Sequence, residues 1–199
     1  MSRFTGSKSK VSRRFGEPIF GRQKETKRPN PPGMHGAKRK RKVSEYGQQL
    51  LEKQKAKYIY GMREKQFRIF FERAKAKKGK TGDILLQMCE SRLDNVVYRL
   101  GIAPTRAAAR QLVGHRHITV DGKVLNIPSY IVRPGQSVGV REKDRQMIAI
   151  VSSLEHRPAT GSWLTWDAAT MTGVFAQVPE RAEIPENINE QAIVELYSR

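Results

Sequence analysis

Cysteine is almost missing from this chain: 199 residues contain one, Cys89. A single thiol can build neither an internal disulfide nor a cysteine-based zinc site, so disulfide-stapled folds are excluded and a reducing compartment is expected. Its apolar neighbours Leu85, Leu86, Met88 and Leu93 assign Cys89 to packing. Long apolar runs are absent too. No 18 consecutive apolar residues occur, and the first residues lack the apolar stretch of a secretory leader, so a soluble cytoplasmic protein is expected. Catalytic signatures are equally scarce: there is no P-loop, GxSxG, HExxH or dinucleotide fingerprint. Asp83, Asp94, Asp121 and Asp144 belong to separate local elements, and four scattered histidines offer no ligand set. The sequence therefore predicts no enzyme, no metal and no other cofactor.

Acidic residues are few. Asp and Glu number 19 against 38 Lys and Arg, a net charge of +19. Residues 1–80 alone carry net +19, whereas 158–199 carry −4. A compact chain so charged repels itself unless a polyanion neutralises it. Nucleic acid is the first expectation and an anionic membrane surface the competitor.

Residues 1–43 are rich in Gly, Ser, Pro, Lys and Arg and show no helical or strand period. They predict an extended basic N-terminal arm that takes a fixed shape only against its partner. Its candidate RNA-binding cations are Arg3, Lys8, Lys10, Arg13, Arg14 and Arg22, followed by the unbroken run Lys38, Arg39, Lys40, Arg41 and Lys42. Phe4, Phe15, Ile19 and Phe20 speak against a purely solvated tail. His35, between glycines in Pro-Pro-Gly-Met-His-Gly, is a candidate for stacking on a base or bonding to phosphate.

From Ser44, an N-cap candidate, helical texture runs to about Ala76, with Gly61 and Gly79 as breaks. Leu50, Leu51, Ile59, Met62, Phe67, Phe70 and Phe71 form the apolar face; Lys53, Lys55, Lys57, Arg63, Lys65 and Arg68 occupy much of the rest. A helix is expected near Ile84–Leu100 and another from Thr105 to a stop at Gly114. Asp121-Gly122 between short β-branched runs then signals a type I′ hairpin. The fold class expected is α+β: a mostly helical domain (44–90, completed by 153–199) with an inserted module of two helices and an antiparallel sheet (91–152). The amphipathic end, Asn187 to Tyr197, should pack on the helices of 44–90.

In the module, Arg92 and Arg99 are seven apart and Arg106 and Arg110 four apart, so each pair should share a helix face. With His115, Arg116 and His117 at the following junction, they make a forked-donor surface suited to phosphates.

The block Glu90 to Tyr130 resembles the RNA-binding module first described in small-subunit ribosomal protein S four, which also occurs in pseudouridine synthases and tyrosyl-tRNA synthetases. PPGMHG (31–36), SEYGQQLLEKQKAKYIYGMREKQFR (44–68) and NEQAIVELYSR (189–199) resemble the bacterial ribosomal family itself. That resemblance implies 16S ribosomal RNA as partner, an early role in assembling the 5′ domain and a contribution to translational accuracy. It also implies contact with neighbouring small-subunit proteins, S five above all, and proximity to the channel by which messenger RNA enters. Some relatives bind a metal through N-terminal cysteines at positions matching Ser9 and Ser12, so no zinc is expected here. An RNA-modifying enzyme that borrows the module is the alternative reading.

Overall fold

The computed structural model describes residues 4–20, 28, 30–38, 42–156 and 161–198. Its helices are α1 (Lys8–Phe15), α2 (Glu45–Ile59), α3 (Glu64–Lys75), α4 (Thr81–Glu90), α5 (Leu93–Arg99), α6 (Arg106–Gly114), α7 (Ile148–Glu155) and α8 (Glu190–Ser198). The strands are β1 (Ile118–Val120), β2 (Lys123–Val124), β3 (Ser137–Val140), β4 (Leu164–Asp167) and β5 (Thr172–Phe175). This is the α+β class. The chain divides into two compact units, Met1–Gly82 with Glu186–Arg199, and Asp83–Pro185.

In the first unit, Ser44 caps α2 by accepting from the Gly47 amide at 3.2 Å. The helix ends at Gly61, whose φ of 60° only glycine adopts freely. Gly61 N–H donates to Tyr58 O and Met62 N–H to Lys57 O, the paired bonds of a Schellman stop. Phe67, Phe70, Phe71 and Ala74 on α3 are buried, as are Ala56 and Ile59 on α2. Helix α8 packs on α2, and the Tyr197 ring stacks on Phe71 at 4.6 Å. The sequence expectation for the amphipathic end holds.

The N-terminal arm differs from expectation. It contains a capped helix, α1, with Ser7 at its start and Gly16, φ 77°, at its end. Its described part packs on α2. Phe4, Phe15 and Phe20 surround Tyr58 at centroid distances of 5.2, 6.1 and 6.2 Å, and Ile19 is buried.

In the second unit the expected helix 84–100 is broken in two at Ser91-Arg92. The break is braced by the loop before β3: Leu93 and Asp94 amides donate to Tyr130 O and Pro128 O, and Val132 N–H donates to Ser91 O. These bonds satisfy amides that a continuous helix would have satisfied internally. The sheet is antiparallel in the order β2-β1-β3-β5-β4. At the β1–β2 turn Asp121 and Gly122 have φ of 49° and 76°, the left-handed pair a type I′ turn requires. Residues 153–185 do not join the helical domain as expected. β5 pairs with β3, and Trp163, Leu164 and Phe175 enter the core formed by Leu93, Val97, Leu100, Val113, Ile118 and Val138. Their short apolar pieces extend an existing sheet, whose β3 edge would otherwise be unpaired.

Candidate nucleic-acid interface

Among the predicted cations, Arg3, Arg22, Arg39, Lys40 and Arg41 lie outside the described residues. Lys8, Lys10, Arg14, Lys38, Lys42, Arg63, Lys65, Arg68 and Arg116 are exposed, as are His35 and His115. All of these except Arg116 and His115 belong to the first unit. The Pro31–Gly36 turn that carries His35 is tightly folded: a Cβ on Gly36 would strike the Pro31 carbonyl oxygen. Arg13 braces the turn from α1, its Nε donating to Asn30 O at 2.8 Å and Nη2 to Pro31 O at 3.2 Å. Arg13 thus holds the turn in place.

The three lysines of α2 depart from the expectation of a solvent-facing row. Lys53 and Lys55 are only 9% and 7% exposed. Lys53 Nζ lies 2.9 Å from Glu64 Oε1, Lys57 Nζ 2.6 Å from Glu64 Oε2, and Lys55 Nζ 2.5 Å from Glu17. A lysine stem lying along an apolar helix face can be buried only if its ammonium meets a carboxylate, and here each does. Burial would raise the Glu64 carboxyl, but hydrogen bonds from Lys57, Lys53 and Tyr197 outweigh it and bring it down to about 2.

The arginine fork is also rearranged. Arg92 is not on a helix face; it is the residue before α5, 1% exposed, with Nε and Nη2 on the two oxygens of Asp94 at 3.1 and 2.8 Å. As placed, it cannot meet a phosphate, which corrects its assignment as an outward donor. Asp94 Oδ2 also accepts from Arg110 Nε at 3.0 Å and Nη2 at 2.6 Å. Asp94 lies in the first turn of α5, where a negative charge also suits the helix dipole. Beside this cluster, the buried Glu90 carboxylate takes Arg99 through Nε at 2.9 Å and Nη2 at 2.8 Å. Asn95 bridges from Glu90 to Arg106, whose Nε donates to Asn95 Oδ1 at 2.7 Å. The Arg106 guanidinium lies 4.5 Å from the Tyr98 ring centroid. Arg99, Arg106 and Arg110 keep partial exposure. The surface is a preorganised arginine cluster around two carboxylates.

At the α6–β1 corner Gly114 is still helical, and His115 is the C-cap. Arg116 N–H donates to Val113 O and His117 N–H to Leu112 O, the same Schellman pair seen at Gly61, with Arg116 at φ 66° in the glycine place. The sequence expectation of a stop at Gly114 is therefore displaced by two residues. His115 and His117 rings lie 6.1 Å apart. His117 Nδ1 is 3.0 Å from Asp144 Oδ2, and the nearness of this ring holds the Asp144 carboxyl below its usual range.

Sequence reasoning passed over the exposed run Arg73, Lys75, Lys77, Lys78 and Lys80 at the end of α3 and beyond. Its density of charge was the available signal. It also passed over Glu90, Asp94 and Asn95, which carry no motif.

Two family models match: the ribosomal protein S4/S9 N-terminal domain over residues 3–90 and the S4 domain over 91–138. Curated relatives named small ribosomal subunit protein uS4 align over the whole of both chains. The identity is 61% for those of Bacteroides fragilis and Parabacteroides distasonis and 58% for that of Porphyromonas gingivalis. With basic groups along one unit and an arginine-bearing S4 domain in the other, the chain belongs to the small ribosomal subunit protein uS4 family.

Proposed function

We propose that this chain is a structural constituent of the small ribosomal subunit, acting in the cytoplasm. It binds 16S ribosomal RNA, nucleates assembly of the 5′ domain and contributes to translational accuracy. The observation that carries this reading is full-length similarity to uS4 proteins in a chain whose first unit presents exposed cations on α1, at Lys38 and Lys42, and on α3. These groups supply backbone contacts that position RNA by shape and charge rather than by base edges. Lys8, Lys10, Arg14, His35, Lys38, Lys42, Arg63, Lys65 and Arg68 are the contact residues proposed there, with Arg99, Arg106, Arg110, His115 and Arg116 in the second unit. Neighbouring small-subunit proteins, S five among them, and messenger RNA near its channel are the further partners proposed. The alternative of an RNA-modifying enzyme finds no support in relatives that match from end to end.

Chemical footprinting of 16S RNA with and without the protein tests the reading. Protection concentrated at one helical junction is expected; protection scattered over unrelated single-stranded sites would overturn it. A chain neutralising roughly six to ten phosphates should lose on the order of 10³–10⁵ in affinity between 50 and 200 mM salt.

A further inference from the structure

We infer that Asn95 is a positioning residue for RNA capture, acting through Arg106; the inference rests on the reading above that Arg106 faces RNA. Asn95 is buried, and its Nδ2 donates to Glu90 Oε2 at 2.6 Å and to Glu90 O at 3.2 Å. Both partners are acceptors only, so the amide orientation is fixed by chemistry: nitrogen toward Glu90, oxygen toward Arg106. Glu90 is itself held by Arg99, which donates to both carboxylate oxygens, Oε2 and Oε1. The carbonyl end of Asn95 therefore stands at a defined place, and Arg106 Nε meets it at 2.7 Å.

The same guanidinium lies against Tyr98, one turn along α5 from Asn95. One constraint acts in the guanidinium plane, the other on its face. Together they fix a side chain that would otherwise sample many rotamers, at the first residue of α6, where it remains partly exposed. Arginine ordered in the free protein does not have to be ordered on binding, so affinity rises without any new contact to RNA. Asn95 suits the bridging role because it both donates and accepts while adding no charge to a site where Glu90 is already buried. An aspartate would set two carboxylates together, and an aliphatic residue would make neither the bond to Glu90 nor the one to Arg106.

The test is a double-mutant cycle on binding of the full chain to an in-vitro transcript of 16S ribosomal RNA. Asn95→Ala, Arg106→Ala and the double variant are compared with the parent at a temperature where thermal unfolding shows each folded. Asn95→Ala is expected to weaken binding about three- to tenfold, the effect of releasing one ordered side chain. Arg106→Ala should weaken it at least as much, and the double variant no further than Arg106→Ala. The unfolding midpoint, by contrast, should still fall when Asn95 is changed in the Arg106→Ala background. A binding loss that persists undiminished in that background makes Asn95 merely structural and overturns the inference. No binding change for Arg106→Ala overturns the underlying reading of Arg106 instead. Should Asn95→Ala fail to fold, Arg106→Lys probes the same constraint, since it keeps the charge but has no Nε to offer Asn95. A three- to tenfold loss with an unchanged salt slope is then expected, and unchanged affinity would overturn the proposal.

Discussion

The Tyr197 hydroxyl donates to Glu64 Oε1 at 2.8 Å, tying α8 to the first residue of α3. Glu64 is at the same time the counter-charge of Lys53 and Lys57 on α2, so one carboxylate joins three helices. Burial and the Glu64 bond both push the Tyr197 phenol above its ordinary range.

Stability should follow from the titration of Glu64. Its carboxyl is depressed from 4.5 to about 2, so the stabilisation is fully present above about 4.5 and is lost as the pH falls towards about 2. Glu64→Gln should flatten the acid limb of the urea midpoint in that window. At neutral pH it should cost on the order of 1–2 kcal/mol, less than a fully buried pair because Glu64 keeps substantial exposure. Tyr197→Phe keeps the stack on Phe71 and should cost about 1 kcal/mol, the value of one hydrogen bond to a charged acceptor at a partly wet site.

Asp94 and Arg92 should behave unequally. Asp94→Asn takes the carboxylate from both Arg92, which is buried, and Arg110, and should cost roughly 3–5 kcal/mol. Arg92→Leu leaves Asp94 paired with Arg110 and fills the site with a side chain that needs no partner, so it should cost clearly less. Denaturant midpoints of the two variants give the order directly; the reverse order would mean that Arg92, rather than Asp94, organises the cluster.

The helical faces, the hairpin and the packing of the last helix were legible because each depends on local pattern. Phe67, Phe70 and Phe71 recur at helical spacing, and Asp121-Gly122 demands its turn wherever it occurs. What was not legible depends on partners distant in sequence. Nothing near Lys53 announces Glu64 or Tyr197, and the seven-residue spacing of Arg92 and Arg99 misleads because the Pro128–Val132 loop opens the helix between Glu90 and Leu93. The same limit applies to β4 and β5, whose membership of the sheet depends on the free edge of β3. For the interface, total charge was readable, but which cations face outward was decided by the few carboxylates, Glu17, Glu64, Glu90 and Asp94, that claim the others.

Tyr58 is the point at which the arm is fastened. Replacing it with Ala removes the ring shared by Phe4, Phe15 and Phe20 and should cost about 2 kcal/mol, below the value for a fully buried aromatic because Tyr58 is half-buried. The loss should be local. Limited proteolysis is expected to cut the arm faster while the fragment from α2 onward persists; equal cleavage rates in the parent and the variant would show that Lys55 and Glu17 suffice as anchor.

Arg116 and Gly61 occupy the same place in two Schellman stops, and only one of them is glycine. Holding a residue with a Cβ in the left-handed region costs roughly 1–2 kcal/mol, a strain of the kind that concentrates at functional positions. In return the corner carries an exposed guanidinium between His115 and His117. Arg116→Gly should therefore raise the unfolding midpoint of the protein and weaken 16S RNA binding, with the salt slope reduced by about one phosphate. Arg116→Ala keeps the strain while removing the charge, so it should match the glycine variant in affinity but not in stability. Titrating both against the RNA transcript at several salt concentrations, beside thermal unfolding, separates the two effects; a glycine variant that binds as tightly as the parent would leave the strain at Arg116 without a functional reason.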